Sequence, residues 1–463
     1  MRAELHERVA DLLVEWVTDA DAEIDAFVGH HLEQAVRFRQ ELSLRTDTLA
    51  ALARRAAIAL VAAGGHARDT DDLPAAVELL RRAVDLTSEG GAARRDLLWR
   101  LAQLQQDQGH VTEAEQTLER VAELMDDATP ALERSIWTAQ MLNLRSEAAE
   151  DIDPAELQSA AEAAARLARR HHDHERMTQA LMIGADAAVM RGRWGDAAQM
   201  LREIQHVASP HDRREARMWV VNAYVWGPAP VDEGLAYIAT VRDQPGHTLR
   251  SSAIMEANRA ALLAAAGRIE PALDLVRETA HMARDLDPFA LGMIAQGAVV
   301  VPLARGDLDE ALRILTEGIE GRRECGELSH ASTMLGQKAA LLLEQGDHDD
   351  QARQVLEEAT AVTSPYDTLS VGLVRTCQAL LAARNGDHEQ AAARASQALT
   401  TIDASDQICD QADIRRWLSE VPQLRGDIAQ QRRLLLEARD LYRAKGHLPH
   451  LAETEQLLSQ ITS

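Results

Sequence analysis

Residues 294–315 read IAQGAVVVPLARGDLDEALRIL, and the step from Gly306 to Asp307 decides the fold. An apolar run ends on a glycine, which reaches positive φ without steric cost and so closes a helix. The aspartate that follows caps the next helix, and Ala311, five residues after the glycine, lets the two helices approach. The same step recurs at Gly267, Gly306, Gly346, Gly386 and Gly426, at spacings of 39, 40, 40 and 40 residues. The next residue is Arg268, Asp307, Asp347, Asp387 or Asp427. Apolar columns keep register with this beat. Twelve positions before the glycine stand Met255, Ile294, Met334, Val374 and Ile414, and five before it Leu262, Val301, Leu341, Leu381 and Val421. Nine positions after it stand Val276, Leu315, Val355, Ala395 and Leu435. A fixed period of this length with helical columns predicts an all-α solenoid of antiparallel helix pairs, a right-handed superhelix with a concave face. The turn is that of a tetratricopeptide repeat, but the period of about 40 exceeds the roughly 34 residues of that repeat, so the helices are longer.

Toward the N-terminus the beat loosens. Gly109 and Gly192 carry the alanine five residues on (Ala114, Ala197), and the boundary between them falls near Asp151 to Pro154. Gly227 continues the series, but with the longer loop PAPVDEG. Asp153-Pro154, Asp287-Pro288 and Ser364-Pro365 each read as a cap before a first-turn proline. Pro302 and Pro422, four residues before a repeat glycine, predict kinks. Dividing 463 residues by the period gives about eleven pairs in one continuous array.

Composition agrees. Hydrophobic residues make up 46% and aromatics 3%, so Ala and Leu carry the packing, as in close-packed helices rather than sheet. A formal charge of −25 repels phosphate backbones and anionic lipid, which argues against nucleic acid or a membrane surface as partner. Cys325, Cys377 and Cys409 show neither disulfide nor metal spacing, so a reducing, cytoplasmic setting is expected. The start MRAELHERVADLL is no signal peptide, and the apolar run Phe289 to Ala304 is short for a bilayer and falls in the repeat register.

The first 86 residues follow another pattern. An amphipathic helix over residues 2–17 places Leu5, Val9, Leu12, Leu13 and Trp16 on one stripe, and TDADAE at 18–23 offers caps for the next helix. ELHER, HLEQAVRFR, LARRAAIALVAAG and PAAVELLRRAVDL resemble the segment after the ATPase module in bacterial STAND-type signalling ATPases, many fused to class III adenylyl cyclase domains. The resemblance covers residues 2–86, and the remainder only as a generic helical arm. It implies a helical linker over 1–45 and a tetratricopeptide-like solenoid over 46–463. No GxxxxGK[ST] loop occurs, so the family's ATPase and cyclase residues have no counterpart, and an arm rather than an enzyme is implied.

Candidate sites are few. His171, His172, Asp173 and His174 are the one dense ligand-like cluster; histidines at a helix C-terminus are also favoured by the dipole, and no four-ligand zinc set is specified, so no metal or cofactor is expected. His6, Glu7, His31 and Glu33 lack a nucleophile or metal partner for catalysis. Trp219, Tyr224 and Trp226 cluster beside Gly227, where the repeat falters, and mark the first place to seek an effector pocket. The column eight before the glycines holds Arg259, Ala298, Lys338, Gln378 and Leu418; its polar members Arg259, Lys338 and Gln378 form a candidate partner surface. The expected function is a non-catalytic sensor or scaffold that binds a protein partner or peptide and relays that state to an ATPase or output domain in signal transduction or transcriptional regulation. A small-molecule effector arm is the alternative, and a metal-dependent hydrolase a more distant one. Nothing in the sequence fixes the oligomeric state.

Overall fold

The computed structural model describes residues 1–16, 22–42, 47–87 and 90–461. They are helical, with no strand among them, and amount to 23 helices once two broken ones are each counted as a single helix. The chain is an all-α solenoid. By its contacts it divides into two compact units, Met1–Pro130 and Ala131–Ser463. The caps read in TDADAE and the linker boundary at residue 45 fall outside the described residues.

In the first unit, Ala10, Leu32, Ala35, Ala56 and Leu60 are fully buried where its first three helices meet. The helical segment Thr48–Asp69 is long and apolar enough to cross a membrane by length and composition. It carries Arg54 and Arg55, and it sinks Leu52, Ala56, Leu60 and Ala63 into the unit's interior.

In the second unit the glycine beat becomes backbone geometry. Gly267, Gly306, Gly346, Gly386 and Gly426 all sit at φ between 71° and 81°, the left-handed conformation that ends the first helix of each pair. Asp307, Asp387 and Asp427 then accept from the amides of Glu310, Gln390 and Gln430 at 3.3, 3.0 and 3.0 Å. Asp347 departs from this pattern, taking φ 53° itself and leaving His348 at the cap. The missing boundary before Gly192 is supplied by Ala149 at φ 60°, which stands 40 residues after Gly109. Gly227 breaks the series with φ −85°. A Cβ there would lie 2.5 Å from Ala223 O and 2.9 Å from Trp194 Cβ, so close approach is what requires this glycine.

The columns twelve and five before the repeat glycines are buried at every position, whereas nine after it Val276 and Ala395 are half-exposed. One apolar core runs from Ala295 to Leu434. Pro302 and Pro422 interrupt their helices as expected. Pro288–Ala298 resumes as Val300–Leu303, and Ile408–Leu418 as Glu420–Leu424, because each proline lacks the N–H that would bond four residues back. Asp153 and Asp287 cap their helices, accepting from Ala155 N at 2.8 Å and Ala290 N at 2.9 Å. Ser364-Pro365 does not. That pair lies in the preceding turn, and Asp367 caps Thr368–Arg384 through Ser370 N at 2.9 Å.

Candidate functional site

In an open solenoid each repeat touches only its neighbours. The second unit adds contacts between segments more than two hundred residues apart, and two charged side chains make them. Asp406, in the turn after His388–Ile402, accepts from the amides of Trp194 and Gly195 at 2.9 Å each. These are the first amides of the helix Trp194–Ile204, which have no partner within it and carry the positive end of its dipole. The Asp406 amide also donates to Gly192 O at 2.8 Å. Burial raises the Asp406 carboxyl, and the two amide bonds offset that only in part.

Lys445 makes the converse contact. It is one of the chain's two lysines, is 1% exposed, and donates to Tyr224 O at 2.8 Å and Gly227 O at 2.6 Å. Those carbonyls belong to the C-terminal end of Pro210–Trp226, where a cation is favoured. The C-terminal pairs therefore place an acid on one helix N-terminus and an ammonium on the next helix C-terminus, closing this unit's array on itself.

Lys445 also borders a cavity of about 340 Å³. One wall is apolar, built by Val225, Trp226, Leu262, Val300, Leu303 and Leu341. The other is polar and comes from Glu344 and the C-terminal pairs, with Asp410, Asp413, Arg416, His450 and Glu453. On that wall Glu344 accepts from Arg416 at 2.5 and 3.2 Å and from Trp417 Nε1 at 2.7 Å. Burial alone would raise its carboxyl, but the Arg416 charge and these bonds bring it below the usual range. Asp413 accepts from Tyr442 Oη at 2.5 Å and lies 3.4 Å from His450 Nδ1. Burial opposes its ionisation, yet His450, Arg416 and Tyr442 outweigh it and hold the carboxyl at about 2. Its neighbour Asp410 goes the other way, pushed up to about 8 by burial and by the Asp413 charge. The cavity thus holds a protonated carboxyl beside an ionised one, in a lining that also includes hydrocarbon. Burial pushes the Cys409 thiol up to about 12, far from a nucleophilic thiolate at neutral pH.

A second buried polar network lies away from this wall. Arg322 donates to Glu327 at 2.7 Å, and His330 Nδ1 lies 2.6 Å from the same carboxylate. Burial raises Asp186, which accepts from Asn143 at 3.2 Å, to about 7.

The residues singled out in the sequence are distributed as follows. Trp226 borders the cavity. Trp219 packs with it against Trp194 and Ala223, with ring centroids 6.3 Å from Trp194 and 6.1 Å from His330. Tyr224 packs against Tyr237 with tilted rings at 5.2 Å and offers the cavity region only its carbonyl, to Lys445. Arg259, Lys338 and Gln378 are half-buried, while Ala298 and Leu418 of the same column are buried; Arg259 pairs with Glu256 at 2.8 Å on its own helix. The His171–His174 cluster is a helix-to-helix turn. His172 takes φ 54°, Asp173 caps the next helix through Arg176 N at 3.0 Å, and the three histidines are exposed. No group of metal-ligand type occurs among the described residues. Sequence reading missed Asp406, Asp410, Asp413, Arg416 and Lys445. The available signals were the rarity of lysine and the charged face of ICDQADIRRWL, whose acids stand three apart on one helix.

The fold is that of tetratricopeptide-repeat proteins. A similar solved structure is the crystal structure of the APC/C hetero-tetramer Cut9–Hcn1, at 13% identity and TM-score 0.52, covering 99% of this chain and 86% of that chain. Yeast Tom70 aligns at 12% identity over 99% of this chain and 95% of its own, with a TM-score of 0.37. No family model matches the sequence, and no curated protein matches it.

Proposed function

We propose that this chain is a non-catalytic arm of helical repeats that binds a protein partner or peptide and relays that state to an ATPase or output domain in signalling or transcriptional regulation. The observation that carries the reading is the repeat register itself. Arg259, Lys338 and Gln378 occupy equivalent, half-buried positions of the repeat, interrupted by the buried Ala298 between the first two, the kind of spaced polar column along which an extended peptide is read. The similar Cut9 was solved as a hetero-tetramer with Hcn1. Residues 1–45 serve as the attachment and 46–463 as the arm, in a cytoplasmic setting to which three buried or half-buried free thiols are suited. The test is affinity capture from the native host with the wild-type chain and with Arg259→Glu/Lys338→Glu. Loss of the captured partners supports the column, and an unchanged set removes it.

The cavity favours a second reading, in which the arm senses a small effector. A volume of about 340 Å³ with one apolar and one polar wall lies within the range of small-molecule sites, roughly 300–1,000 Å³. A ligand that spans both walls binds the closed array better than an open one, and so shifts the population between them.

A further inference from the structure

If the cavity receives an effector, the inventory of its polar wall selects the chemical class. The cations on that wall are engaged through their terminal nitrogens, and the donor left over on Arg416, Nε, is buried out of reach of the cavity's solvent. Lys445 donates to Tyr224 O and Gly227 O, and Arg416 donates to Glu344 at 2.5 Å and to Glu453 at 3.3 Å. An anionic ligand would have to take one of these cations from its partner, leaving a buried acceptor bare. The carboxyls are more numerous than the cations, and one is barely used. Asp410 is 6% exposed and has one side-chain donor, Gln407 Nε2, at the long distance of 3.3 Å. The same cavity is lined by Val225, Trp226, Leu262 and Val300, a surface for hydrocarbon that includes an indole.

We propose that the cavity is a receptor site for a small amphipathic cation, whose ammonium group pairs with the Asp410 carboxylate and whose apolar body lies against Val225, Trp226, Leu262 and Val300. The proposal rests on the effector-sensing reading above. Asp410 faces Asp413, Lys445 and Cys409, and at neutral pH it holds its proton because it titrates at about 8. Binding therefore replaces a proton by the ligand's ammonium. The carboxyl O–H breaks, the proton passes to solvent, and the ammonium keeps its own protons.

The test uses the full chain with n-hexylamine, 1-hexanol and hexanoate as probes, by thermal shift and by calorimetry in two buffers of different ionisation enthalpy. The expected result is stabilisation by hexylamine, with a buffer-dependent heat reporting release of about one proton. Asp410→Asn weakens that binding at least about tenfold, since a charged hydrogen bond is worth about 1.5–3 kcal/mol and each 1.4 kcal/mol is tenfold. Val300→Phe, which fills the apolar end and leaves Asp410 in place, weakens it as well. Circular dichroism of both variants checks that they fold. Binding of hexanol or hexanoate as tight as that of hexylamine overturns the cationic class and leaves the effector reading standing. So does hexylamine binding that Asp410→Asn leaves unchanged. No binding of any of the three overturns both.

Discussion

At the scale of single residues, burial opposes the ionisation of both neighbours, Asp410 and Asp413, and only Asp413 has the partners to overcome it, a difference measurable without a ligand. Asp410 titrates at about 8 in the folded chain, against an ordinary value of 3.8, owing to burial and the Asp413 charge. The folded state therefore binds more protons than the unfolded one between about pH 4 and pH 8, and stability falls as pH rises through that window. Asp410→Asn keeps the shape and stays neutral. Its melting temperature should exceed that of the wild type by a margin that widens from about pH 5 to pH 8. Asp186, lifted to about 7, adds the same slope to both proteins, so the difference between the curves reads Asp410 alone. Parallel curves would mean that Asp410 is ionised when folded. None of this could be read from the sequence, because the aspartates at 410 and 413 look alike there; Tyr442 and Lys445, from the far end of the following helix, and His450, from the helix after that, set them apart.

At the scale of elements, the glycine beat was legible because it is a local rule: one residue of positive φ, one cap, one period. Gly386, at φ 81° with open space where a Cβ would stand, isolates the conformational part. Gly386→Ala should cost about 1–2 kcal/mol, the penalty of an L-residue in the left-handed region. Gly65, inside Asp47–Asp69 and equally open, has an ordinary helical backbone. Gly65→Ala should instead stabilise by about 0.5–1 kcal/mol. Denaturant melts of the two variants check the contrast, and changes of the same sign would refute the assigned backbone. The rule gave way at three places, only the first of them through a non-local contact. Gly227 is needed for its contact with Trp194, Ala149 does a glycine's work, and the Ser364-Pro365 cap yields to Asp367.

At the scale of the molecule, the helix pairs of the second unit could be counted from the sequence, whereas their closure could not. Asp406 and Lys445 reach helix ends 211 and 218 residues away, and no repeat register encodes which turns will meet. These contacts should turn a chain of nearest-neighbour repeats into one cooperative body. Asp406→Ala with Lys445→Met leaves two amides and two carbonyls without partners, at about 1–3 kcal/mol for each buried group. Hydrogen exchange in the double variant should rise at Trp194–Ile204 and Leu448–Ile461, while the central pair Leu328–Gln345 and Asp349–Val362 stays protected. A uniform rise would mean that the contacts are not a separable clasp.

Closure is the claim on which the cavity and its proposed ligand depend, and one distance decides it. Arg191 and Ala404 are exposed and flank the contact between Gly192 O and the Asp406 amide. With nitroxide labels at Arg191→Cys and Ala404→Cys, pulsed electron resonance should give a single narrow distribution at the short end of the method's range. An array of about five pairs stacked in the open, at roughly 10 Å between axes, would instead separate the labels by about 50 Å, and that result would contradict the closed architecture.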